Sequence, residues 1–218
     1  MFPYFGAKVR LAKSYPTPKH DRVIEPFGGS AAYSIYHKKT NVVLCEKNPH
    51  VYSLWKYLIT RCTPARIDKF REYKTGDIVK KSDPKGRPYN KDELFLLQMF
   101  SFHGDGGGHS PRDRIKFGSH TFSRITKERL KSKLPIIKKW VLKNDYKAAR
   151  NQSATWFIDP PYHISGKGYT CNSVDYKQLA TWSKGRKGQV IVCEQRGATW
   201  LPFRSLAVYD STYNNNKS

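Results

Sequence analysis

The sequence predicts an α/β fold: a mixed, largely parallel sheet with helices on both faces. Three observations carry this. A short apolar run at Arg22–Phe27, a Gly28-Gly29 turn, a small-residue helix start and a second apolar run at Val42–Cys45 follow one another within about 30 residues, the length of a βαβ unit. Two later apolar runs, Thr155–Asp159 and Gln189–Cys193, resume the same strand pattern, the first ending on an acid. Between the halves lies a basic, glycine-containing stretch that does not read as α/β at all.

Taken in order, the first strand covers Arg22 to Phe27, and a helix runs from Ser30 through Tyr33 and Ile35 to about Lys39. The second strand closes on Glu46-Lys47-Asn48-Pro49. A helical pattern spans Val51–Arg61, and Thr63 with Pro64 gives a cap and first position for another helix toward Tyr73. Residues 74–90 are polar and read as a loop. Asn90 and Glu93 have capping-box spacing and open an apolar helix over Leu94–Phe100. His103 to Gly108 is glycine-rich and irregular. Helical pattern returns at Thr126, with Pro135 breaking or kinking it. Ser173 caps a helix to about Ser183, and Leu206–Tyr209 suits one more strand before the polar Asn214–Ser218 end. The expected division is a core of residues 1–62 and 151–218, with 63–150 as a helical, basic insertion.

Composition narrows the partner. The 218 residues carry 40 Lys+Arg against 17 Asp+Glu, a formal charge of +23, which points to a polyanion. From Pro111 to Arg150 there are 13 basic and three acidic residues, so nearly half the net charge falls in under a fifth of the chain. No apolar run approaches the roughly 18 residues of a spanning helix. The N-terminus has no apolar signal-peptide region, so a cytoplasmic protein is expected. Cys45, Cys62, Cys171 and Cys193 lie far apart, as free thiols of a reducing compartment do. His103 and His109 have no cysteine or acidic cluster beside them and read as loop histidines, and no metal is expected.

Asp159-Pro160-Pro161-Tyr162 follows an apolar strand directly, where ligand sites of open α/β sheets gather. An exocyclic aromatic amine is a poor nucleophile, because its lone pair is delocalised into the ring. A carboxylate and a rigidly held carbonyl accepting its N–H bonds draw it toward tetrahedral geometry and stabilise the cation that develops on attack. Asp159, the Pro160 carbonyl and a stacking Tyr162 supply those parts. A bare Gly28-Gly29 is by itself a tight turn, with no phosphate-binding lysine after it. Glu46, 21 residues beyond Glu25, stands where an acid in a βαβ unit reaches ribose hydroxyls, so a nucleoside other than a dinucleotide is the expected cofactor type.

These motifs resemble the DNA adenine N6-methyltransferases that use S-adenosylmethionine, the Dam-like group of bacteria and phages. Tyr4-Phe5-Gly6-Ala7-Lys8 is similar to its W-A-G-G-K element, Glu25-Pro26-Phe27-Gly28-Gly29-Ser30 to its E-P-F-x-G-x-G loop, Leu44–Asn48 to its A-D-x-N segment, and Asp159–Tyr162 to its D-P-P-Y motif. The resemblance implies a Rossmann-like methyltransferase sheet with a small basic target-recognition insertion. It implies methyl transfer from S-adenosylmethionine to adenine N6 in double-stranded DNA, with the target base flipped out. Cytosine N4, RNA adenine, or DNA binding on a catalytically degenerate scaffold are the alternatives. By resemblance Tyr4, Lys8, Glu25, Phe27, Gly28, Gly29, Glu46 and Asp159 contact the cofactor, Lys8 near its carboxylate and Tyr4 near its adenine. Asp159, Pro160 and Tyr162 act on the target base. Ala31 stands in place of the second loop glycine, Glu46 in place of the usual Asp, and the family's final hairpin strand has no counterpart after residues 206–209.

The recognition segment is expected at about 103–124. Arg112, Arg114, Lys116 and Arg124 would meet the phosphates, and the interleaved Phe117, His120 and Phe122 would supply flat surfaces for groove or stacking contacts. A monomer is expected.

Overall fold

The computed structural model describes residues 1–4, 6–81, 88–101, 111–118, 121–164, 166 and 171–206. In chain order the elements are β1 (Val23–Glu25), α1 (Ala32–Tyr36), β2 (Val42–Cys45), α2 (Pro49–Thr60), α3 (Pro64–Asp68), β3 (Ile78–Lys80), α4 (Lys91–Ser101), β4 (Arg114–Lys116), α5 (Arg124–Ile137), β5 (Val141–Lys143), β6 (Ala154–Ile158), α6 (Tyr176–Lys184) and β7 (Gly188–Val192). Five strands form one sheet in the order β5-β2-β1-β6-β7, and every pairing in it is parallel rather than mixed. The arrangement is compatible with a Rossmann-like fold. β3 and β4 make a separate antiparallel pair.

The central strands are buried on both faces, which is why they read as unbroken apolar runs. Alternate residues take opposite sides. Val23, Val42, Leu44 and Phe157 join the larger core with α2 and α4, while Ile24, Cys45, Trp156 and Ile158 join a second core under Leu179 of α6. Parallel pairing sets Glu25 opposite Leu44 and Ile24 opposite Trp156, so the C-terminal ends of β1, β2 and β6 share one edge.

Local signals explain most helix ends. The Asn48 side chain accepts N–H bonds from His50 and Val51 at the start of α2, with Pro49 in the first turn. At its other end Lys138 Nζ donates to the carbonyls of Leu58, Ile59 and Cys62 at 3.1, 3.0 and 2.7 Å. The capping box is present and reciprocal: Asn90 N–H reaches Glu93 Oε2 at 3.0 Å, and Glu93 N–H reaches Asn90 Oδ1 at 2.9 Å. Glu93, with no exposure, also accepts from Tyr57 Oη and from Arg66, tying α2, α3 and α4 together.

Several expected boundaries move. Helix α1 is shorter than Ser30–Lys39, because Ala31 sits in left-handed backbone at φ 50° before it. Helix α3 stops at Asp68 instead of nearing Tyr73, whose backbone exchanges hydrogen bonds with Phe122. The expected loop 74–90 contains β3. Pro135 does not break α5; it lies in the last turn, where the missing N–H removes a single ladder bond. Asp175, not Ser173, caps α6, accepting from Gln178 N–H at 2.9 Å. The stretch 63–150 also contributes the edge strand β5 to the main sheet. His103, His109, His120 and most of the proposed strand 206–209 lie outside the described residues. Among the described residues, no helix is long and apolar enough to cross a membrane, and the four cysteines are free.

Candidate active site

At the shared strand edge lies a cavity of about 310 Å³. The turn after β1 forms one wall. Gly28 N–H donates to Cys45 O at 2.7 Å, and a Cβ at Gly28 would stand 3.0 Å from that same oxygen. Gly29 has φ +47°, with the Tyr4 ring 3.1 Å from where a Cβ would be. Both positions therefore favour glycine, one for close approach and one for backbone conformation as well.

Two buried carboxylates brace this turn. Glu46 Oε2 accepts Gly29 N–H at 3.0 Å and Oε1 accepts Asn48 N–H at 2.8 Å. Glu25 Oε1 accepts Ser34 N–H at 2.8 Å from within α1. Burial pushes both carboxyl groups up to about 7, against the backbone donors that pull them down.

Asp159 follows β6, the strand beside β1, and also lines the cavity. Lys8 Nζ lies 2.9 Å from its Oδ1, donates to Gly6 O at 2.8 Å, and stands 4.6 Å from the centre of the Tyr162 ring. Lys8 is 7% exposed and Asp159 18%. Burial pulls the Lys8 ammonium down, but Asp159 and Tyr162 outweigh it and hold its pKa above the ordinary value. Burial lifts the Asp159 carboxyl, and Lys8 opposes that rise. One carboxylate oxygen is thus committed to Lys8.

The cavity brings together Tyr4, Lys8, Glu25, Phe27, Gly28, Gly29, Glu46 and Asp159, all the residues singled out in sequence for a cofactor. Pro160 and Tyr162 do not line it; Pro161 does. Pro160 is buried, and Tyr162 packs against the larger core with Lys8 over its ring. The cavity also has residues that sequence reasoning missed. Asp145, Tyr146 and Lys147 follow β5, with the Tyr146 ring stacked on Phe27 at 5.3 Å, and Val174, Asp175 and Gln178 come from the start of α6. The pattern that exposes the first group is a short strand ending on an acid, Val141-Leu142-Lys143-Asn144-Asp145. Its lysine and its basic surroundings hide it.

Five side chains around the cavity are carboxylates (Glu25, Glu46, Asp145, Asp159, Asp175) and three are amines (Lys8, Lys47, Lys147). By formal count the lining holds two more acidic than basic side chains within a chain of net charge +23, and with the Glu25 and Glu46 carboxyls raised to about 7 that surplus develops only as pH rises through neutrality.

The basic segment is only partly as expected. Arg112, Arg114, Lys116 and Arg124 are exposed. Phe117 and Phe122 have no exposure: Phe117 stacks on Tyr73 at 5.1 Å, and Phe122 packs on Phe70 and Phe100. They belong to the core that carries the β3–β4 pair and are unavailable for stacking on bases. Strand alternation is the reason, since Ile115 and Phe117 face inward while Arg114 and Lys116 face out.

Compared with protein-family models and with curated proteins, the chain has no match.

Proposed function

We propose that this chain transfers a methyl group from S-adenosylmethionine to the N6 amine of adenine in double-stranded DNA. The observation that carries the reading is the acidic cavity at the ends of β1, β2 and β6, with Asp159 of the Asp-Pro-Pro-Tyr sequence on its wall. The residues fit that cofactor. A formal surplus of two carboxyl groups, ionised more fully as pH rises through 7, suits a ligand carrying a sulfonium and an ammonium better than a polyphosphate. The glycine turn admits close backbone approach, and Tyr4, Phe27 and Val174 offer surface for a base, whereas Lys8, assigned to the cofactor carboxylate by resemblance, is paired with Asp159.

The cofactor supplies an electrophilic methyl carbon on a positively charged sulfur. The chain's part is to hold and polarise the acceptor amine. Asp159, engaged by Lys8 at Oδ1, keeps its other oxygen for an N–H donor, and the Pro160 carbonyl takes the second N–H. With the cofactor bound, the amine held by Asp159 and the Pro160 carbonyl would accept the methyl group and release one proton, leaving the cofactor as its thioether. Stacking of the base on Tyr162 requires Lys8 to leave the ring face that it covers in this structure. Reaching a base inside a duplex requires flipping it out. The exposed Arg112, Arg114, Lys116 and Arg124 offer the phosphate contacts.

The test is transfer of tritiated methyl from S-adenosylmethionine to unmodified duplex DNA. Incorporation by the wild type that falls at least about a hundredfold in Asp159→Ala is the expected result, from the loss of the group that stabilises the developing charge. No incorporation by the wild type across varied DNA sequences overturns the proposal.

A further inference from the structure

Two consecutive prolines leave the turn after β6 without backbone donors at Pro160 and Pro161. Such a turn is held only through its carbonyls and through the residues that follow. Gly166 N–H closes the turn on the Tyr162 carbonyl at 2.7 Å, and two further holds come from residues outside the cavity wall. Tyr176 Oη, at the start of α6, donates to the Pro161 carbonyl at 2.6 Å. Glu194 follows β7, the strand beside β6, and its Oε2 accepts His163 N–H at 3.1 Å and Trp200 Nε1–H at 2.7 Å. Its other oxygen accepts Gln195 N–H at 2.7 Å. The Tyr176 ring lies against His163 at 4.8 Å and Trp200 at 5.5 Å, which joins the two holds into one unit. Neither Tyr176 nor Glu194 lines the cavity.

We infer that Tyr176 and Glu194 are positioning residues that clamp the Pro160–His163 turn from behind, fixing Asp159 and the Pro160 carbonyl relative to the cavity. What the clamp serves rests on the methyl-transfer reading; that it restrains the turn does not. Tyr176 donates throughout the neutral range, since burial first, and Glu194 second, raise its phenol above the ordinary value. The carbonyl it holds belongs to the only proline of the pair that lines the cavity, so slack there displaces the wall itself. A displacement of about 1 Å between reacting groups costs about a hundredfold in rate.

The test uses the full chain as Tyr176→Phe, Glu194→Gln and Glu194→Ala, with the exposed Tyr36→Phe as control. Amide hydrogen exchange is followed at Tyr162, His163, Ile164 and Gly166, alongside single-turnover methyl transfer and the affinity for S-adenosylhomocysteine. Expected are faster exchange confined to that turn, a fall of about ten- to a hundredfold in the transfer rate, and product affinity within about twofold of wild type. Glu194→Gln, which keeps an acceptor, falls between wild type and Glu194→Ala, and Tyr36→Phe matches wild type. Unchanged exchange at those four amides overturns the inference, as does an unchanged transfer rate in an active protein. A wild type that transfers no methyl overturns the proposed function, while the clamp is still decided by the exchange data.

Discussion

Replacing Glu46 by glutamine removes a group whose ionisation works against the folded state. In the native protein burial lifts this carboxyl from the ordinary 4.5 to about 7. The unfolded chain releases the proton near 4.5, the folded one near 7, so between those values the folded state holds more protons and stability falls as pH rises. At 1.36 kcal/mol per unit, the loss between pH 5 and pH 8 is about 2–3 kcal/mol for this group. For a chain of this length, that corresponds to a drop in Tm of roughly 5–10 °C. The substituted amide retains an acceptor for Gly29 or Asn48 and has no charge to desolvate. Thermal unfolding measured across pH 5 to 8 is therefore expected to show a clear downward slope for wild type, and for Glu46→Gln a slope shallower by that amount. Glu25→Gln behaves the same way, because its carboxyl is raised to about 7 by the same burial. A variant slope equal to that of wild type refutes the reasoning. The same linkage gives a cationic ligand of this cavity an affinity that rises with pH through 7, since its binding favours the ionised carboxylates.

Other expectations follow from the packing. Phe117→Ala destabilises by about 3–5 kcal/mol in denaturant melts, as truncation of a core aromatic does, whereas Arg114→Gln leaves stability within about 0.5 kcal/mol. Ala31→Val places a β-branched residue in left-handed backbone and costs about 2–3 kcal/mol, readable as a lowered urea midpoint. Glu93→Ala strips acceptors from Tyr57, Asn90 and the half-buried Arg66, and lowers stability by about 3 kcal/mol. Combined Arg112→Gln, Arg114→Gln and Arg124→Gln reduces the salt slope of DNA binding by about 3; an unchanged slope removes these residues from the interface.

Much of the site was legible because it sits where chain-local signals are strongest. Apolar runs buried on both faces stand out, and Glu25, Glu46 and Asp159 each mark the end of one, so the cavity edge is readable before the fold is known. The capping box at Asn90–Glu93 is equally local. What stayed hidden depends on tertiary partners. β5 is a three-residue edge strand whose pairing with β2 decides its conformation, and α3 yields at Asp68 because the backbone of Tyr73 pairs with Phe122. Phe117 and Phe122 looked like surface aromatics only because lysines and arginines surround them in sequence; alternation along β4 turns Phe117 inward, and the backbone bridge of Phe122 to Tyr73 holds it in the same core. The acidity of the cavity is likewise invisible in sequence, since its five carboxylates come from five separate stretches of a basic chain.

The most direct test of the methyl-transfer reading is mass spectrometry of nucleosides released from duplex DNA after incubation with the protein and S-adenosylmethionine. N6-methyladenine formed by wild type and absent with Asp159→Ala is the predicted result. DNA without any methylated adenine, or with N4-methylcytosine in its place, contradicts it.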